Sequence, residues 1–172
     1  MIPGQPVTMV RPGSREAEGM PSSIVVGTDG SDTATKAVRE AVVIAHALGA
    51  PLDIVSAYPR VSEAVQRRAE AHVRSGRLAP EDVHWALNPQ EDVEAGLAEA
   101  AEIAREAGVE VTVHAREGDP ADAILDVAQE QDARLVIVGN KGMRGAKRIL
   151  MGSVPNNVAH QAPCSVMIVR TT

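Results

Sequence analysis

Five short apolar runs recur along the chain: Ser23–Gly27 (SIVVG), Leu52–Tyr58 (LDIVSAY), Val109–Ala115, Arg134–Gly139 and Cys164–Arg170. Between them lie stretches whose apolar residues return every three to four positions. Short continuous apolar runs suit strands buried on both faces, and the helical period between them suits crossover helices. A strand, helix and strand in series form a right-handed parallel unit. The expected fold class is therefore α/β, a single doubly wound five-stranded parallel sheet with helices on both faces. Alternation alone does not set the strand order. With 44% hydrophobic residues and no Phe, the core must be built from Val, Ile, Leu and Ala. Such a core fits parallel strands covered by Ala-rich helices.

Local signals mark the helices. Ser31 is a natural N-cap for a helix carrying Ala34, Ala37, Val38, Ala41, Ala45 and Leu48 on one face, and Gly49 and Pro51 stop it. Val61–Gly76 is charged and helical in pattern. Arg77–Gln90 contains Pro80 and Pro89 and reads as irregular, so residues 59–90 form a long insertion. A lid, an interface piece and a solvated excursion all fit it. Glu91–Ala107 is helical, with Val93, Leu97, Ala100, Ala101, Ala104 and Ala107 facing inward and Gly108 as its stop. Val109, Val111 and Val113 alternate as a strand. Asp119 caps a helix that opens on Pro120 and turns Ile124, Val127 and Ala128 inward. Residues 1–22 hold four prolines and three glycines without periodicity, and a disordered extension is expected there. Residues 23–172 are the expected domain.

The chemistry concentrates after the fourth run. Gly139 and Gly142 are followed, after nine intervening residues, by Gly152-Ser153 at a helix start. Glycines allow a sharp turn and close approach of a ligand. The first amides of a helix lack internal partners and, with the helix dipole, favour an anion such as phosphate. Lys141, Arg144, Lys147 and Arg148 lie between, including two of the three lysines in a chain of net charge −6. Plain turn glycines are the alternative, and Ser153 has a competing role as N-cap. The spacing is neither a Walker A loop nor a dinucleotide fingerprint. Asp29, at the carboxyl end of the first strand, is either a cap or a ligand contact, since ligands of open α/β sheets meet those ends.

Gly-x-x-Gly, nine residues and Gly-Ser resembles the nucleotide-binding signature of the universal stress protein family, and the likeness extends over about Ser23–Arg170. The tail GSVPNNVAHQAPCSVMIVR resembles the closing helix and strand of that family, with Pro163-Cys164-Ser165-Val166 where Cys-Pro-Val is usual. The resemblance implies the strand order 3-2-1-4-5, with a crevice between the carboxyl ends of strands one and four. It implies an adenine nucleotide there, ATP or cyclic AMP, with Mg accompanying ATP. Gly27, Thr28 and Asp29 would meet the adenosine, and the backbone of Ala57 the adenine. Val138, Gly139, Asn140, Gly142, Arg144, Gly152, Ser153 and Val154 complete the implied site. Pro155 stands where some ATP-binding members carry a hydroxyl and an N–H, which proline lacks, and this favours a ligand with fewer phosphates. The resemblance also implies a homodimer paired through Ser165–Val169, whose apolar edge is a template for another strand.

The acidic balance argues against a nucleic-acid partner. Cys164 alone excludes an internal disulfide and is read as a small buried hydrophobe. No run reaches membrane-spanning length, no signal peptide is read, and a cytoplasmic protein is expected. His46, His72, His84, His114 and His160 are not at metal-ligand spacing, and no metal site or catalytic residue is assigned. The expected function is a nucleotide-holding module of a stress response. A slow ATPase or self-phosphorylating enzyme is the alternative from another class, although no general base supports it. A ligand-free dimeric interaction protein is the third reading.

Overall fold

The computed structural model describes residues 22–140 and 152–171. Five strands form one sheet: β1 (Ile24–Gly27), β2 (Leu52–Tyr58), β3 (Val111–Glu117), β4 (Leu135–Gly139) and β5 (Ser165–Val169). All neighbours are parallel, in the order β3-β2-β1-β4-β5, as the resemblance implied. Helix α1 (Asp32–Leu48) follows β1, and α2 (Glu63–Arg74) follows β2. A 3₁₀ turn (Pro80–Val83), the short α3 (His84–Leu87) and α4 (Pro89–Glu106) lead to β3. Helix α5 (Pro120–Glu130) joins β3 to β4, and α6 (Ser153–Gln161) precedes β5.

The helices divide between the two faces. Ile24, Val26, Leu52, Ile54 and Ile137 pack under the small residues of α1 and α4. Val25, Val55, Val136 and Val138 pack under α5 and Val158 of α6. Alternate strand residues supply each face, so these central strands are apolar throughout. The caps formed as read. Ala34 N–H donates to Ser31 Oγ at 3.1 Å, and Ala121 N–H to Asp119 Oδ1 at 2.8 Å. Gly49 ends α1 at φ 59°, the left-handed conformation that glycine adopts without strain.

Several boundaries differ from the sequence reading. Arg77–Gln90 is not wholly irregular, because Pro80 opens the 3₁₀ turn and Pro89 is the first residue of α4. Proline suits that position, since its missing N–H would have had no helical partner. Ala69, Val83 and Ala86 give the insertion a small core of its own. Val109 is not in β3: its N–H closes the end of α4 on Ala104 O at 3.0 Å. Val113 lies outward on the edge strand, and Leu48, at the last turn of α1, is 48% exposed.

Candidate functional site

The carboxyl ends of β1 and β4 lie side by side, with Val26 in register with Ile137. After Gly27 the chain turns through Thr28 and Asp29 into α1. Thr28 N–H still bonds Val55 O at 2.9 Å, which extends the strand pairing by one residue. Asp29 Oδ1 accepts from both the N–H (3.1 Å) and the hydroxyl (2.6 Å) of Ser31. Asp29 thus holds the turn, while Ser31 caps the helix. Both Thr28 and Asp29 reach the surface of the crevice, Asp29 the more exposed.

Gly27 has a packing role that the sequence did not show. A Cβ there would stand 2.4 Å from Ile124 Cδ1 and 3.1 Å from Ile124 Cγ1. The Ile124 side chain fills the space that a side chain at residue 27 would take.

Ala57 is placed by the pleat. Strand β2 runs past β1: its pairing with β1 stops at Val55, whereas its pairing with β3 continues to Tyr58. Backbone polar groups alternate sides along a strand. Leu52 N–H points to β3, since it bonds Glu110 O, and Val55 O points to β1, since it bonds Thr28 N–H. By that alternation Ala57 N–H and C=O point to the β1 side, beyond the place where β1 ends. One donor and one acceptor therefore face the crevice from a rigid strand. Tyr58 follows, its hydroxyl 3.4 Å from Gln90 Oε1.

Val138 is buried in the sheet, and Gly139 ends β4. Asn140 N–H bonds Val169 O at 2.8 Å, and Asn140 O accepts from Gly152 N–H at 3.1 Å. The described chain therefore returns beside the point at which it left. Gly142, Arg144, Lys141, Lys147 and Arg148, together with residues 1–21, lie outside the described residues.

Gly152, not Ser153, is the N-cap of α6, and no side chain caps that turn. Ser153 is the first helical residue and exposed. Asn156 N–H closes the turn on Gly152 O at 3.2 Å. Pro155 has no N–H to offer. Among the described residues, nothing accepts from the amides of Ser153 and Val154. Among the described residues, a Cβ on Gly152 would meet Pro155 and Asn140 O, at 3.5 Å and beyond, and φ is −62°. Neither packing against the described residues nor backbone strain requires glycine there. An approaching anion would require it, because a side chain would shield the two amides.

One cluster was missed. Asp53, inside the apolar run of β2, is 5% exposed and bonds His114 Nε2 at 2.6 Å and the Ser23 hydroxyl. The signal available was a carboxylate inside a buried strand. Ser23 and His114 both address the carboxylate rather than each other, so the group ties β1, β2 and β3 together and has no nucleophile–base order. Cys164 is partly buried and packs against the α5 face. Burial pushes its thiol above the ordinary range, which makes it a poor nucleophile at neutral pH.

Comparison with known proteins identifies the family and the fold. The model of the universal stress protein family matches residues 20–170. A universal stress protein of Mycobacterium tuberculosis strain H37Rv is 38% identical over 152 residues, covering 87% of this chain and 97% of the relative. A solved universal stress protein in complex with cAMP superposes with a TM-score of 0.63 at 35% identity, covering 88% of this chain and 98% of the other. The universal stress protein from Archaeoglobus fulgidus in complex with dAMP gives a TM-score of 0.60 at 28% identity, with coverage of 88% and 98%.

Proposed function

The chain belongs to the universal stress protein family, and from that premise we propose that it holds an adenine nucleotide in the crevice at the carboxyl ends of β1 and β4. The carrying observation is the start of α6, where, among the described residues, two helix amides meet no acceptor beside a glycine that packing does not demand. Those amides and the helix dipole would take the phosphate. Thr28 and Asp29 would take the adenosine, and the backbone of Ala57 would pair with the edge of the adenine. Gly139, Gly142 and Arg144 complete this assignment, with Asn140 and Val138 as its framework.

Proline at position 155 removes the third amide of the turn, so the reading favours a single phosphate and places cyclic AMP ahead of ATP. ATP would bring a divalent ion on its phosphates. Binding, rather than turnover, is the activity assigned, in the cytoplasm and within a stress response. Calorimetry with cyclic AMP, AMP, ADP and ATP tests the reading. Heat is expected with cyclic AMP at the lowest concentration, and no heat with any of the four overturns it.

The dimer belongs to the same reading. Strand β5 is the sheet edge, and it carries Ile168 at 38% exposure. Pairing of two such edges across a twofold axis would bury both. Sedimentation is expected to give twice the chain mass at micromolar concentration, and a monomer mass at every concentration overturns the dimer.

A further inference from the structure

A short polar chain crosses the open end of the sheet on the α1 side. Thr171, just beyond β5, is 1% exposed. Its N–H and hydroxyl both donate to Asn140 Oδ1, at 2.8 and 2.9 Å. Its carbonyl accepts from Lys36 Nζ at 2.8 Å. Asn140 in turn holds the end of β5 through Val169 O and the start of α6 through Gly152 N–H. Lys36 stands in the first turns of α1, the helix that opens directly after Thr28 and Asp29. The chain Lys36–Thr171–Asn140–Gly152 therefore links the two walls of the crevice.

We propose that Thr171 and Lys36 are positioning residues for the phosphate side of the site. The inference rests on the adenine-nucleotide reading above. The start of α6 has no side-chain cap, so the bond from Gly152 N–H to Asn140 O is what anchors its first amide. Asn140 presents its C=O to Gly152 from a residue held on its N–H side by Val169 O and on its side chain by the two donors of Thr171. Loss of that grip lets the amides of Ser153 and Val154 turn away from the direction in which they meet an anion. The adenosine side, built on β1 and β2, does not depend on it.

The test compares ligands with and without a phosphate. Thr171→Val keeps the shape and the backbone bond but removes the hydroxyl donor, and Lys36→Met removes the ammonium. Each is expected to weaken AMP and cyclic AMP about five- to tenfold while leaving adenosine within about twofold, and Thr171→Ser is expected to restore the parent values. Nucleotide affinities unchanged in both variants, or an equal loss for adenosine, overturn the proposal. Amide hydrogen exchange gives a readout without ligand: Gly152 N–H is expected to exchange faster in Thr171→Val. If the parent binds none of these ligands, the adenine-nucleotide reading fails by itself. The exchange rate then decides the clamp, and an unchanged rate overturns it.

Discussion

Gly152→Asp is expected to leave the fold as stable as the parent, or about 0.5 kcal/mol more stable, and to abolish nucleotide binding. The two effects have one cause. At the N-cap an aspartate accepts from the opening amides of α6 and complements the helix dipole, whereas glycine does neither. The backbone at φ −62°, ψ 165° suits any residue, and a Cβ finds room against Pro155 and Asn140 O. The carboxylate would occupy the amides of Ser153 and Val154 and repel a phosphate from the same place. A fall in affinity of at least about 100-fold, or roughly 2.7 kcal/mol, is expected by calorimetry, with an unchanged urea midpoint. Parent affinity in this variant would remove the start of α6 from the site. Gly27→Ala is the contrasting control. Its Cβ would collide with Ile124, so a loss of about 1–3 kcal/mol in stability is expected.

His114→Ala is expected to cost about 3 kcal/mol of stability. Asp53 is 5% exposed between β1 and β3, and the imidazole nitrogen at 2.6 Å is one of its two side-chain partners. Truncation leaves a buried carboxyl with the Ser23 hydroxyl alone. The double variant Asp53→Leu with His114→Leu should recover most of the loss, because no polar group is then left unpaired in the strand pair. Urea unfolding of parent, single and double variants checks both statements. A loss below about 1 kcal/mol in His114→Ala would mean that the knot contributes little.

Much of this architecture was legible from residue order. The period of apolar residues told strand from helix, and Ser31, Asp119 and Gly49 mark real helix ends because capping is chemistry between near neighbours. The glycine spacing pointed to the start of α6 for the same reason: the amides of Ser153 and Val154 lie within one turn of Gly152. Where the reading slipped, the deciding contact was remote. Pattern made Ala107 and Leu48 inward residues, yet both are exposed, because α4 and α1 outrun their cover at their last turns.

Tertiary structure alone decided four matters, and each joins residues far apart in the chain. The space beside Gly27 is filled by Ile124 of α5. Ala57 faces the crevice because β1 stops short of β2. Asp53 is tolerable in a buried strand because Ser23 and His114 come to it from both neighbouring strands. The Asn140 side chain accepts two hydrogen bonds from Thr171, beyond the last strand. Periodicity and capping are local forces, so a linear string of residues displays them directly. Satisfaction of a buried carboxyl, or of a side-chain amide, depends on which distant strand arrives alongside, and that is settled only when the whole sheet closes.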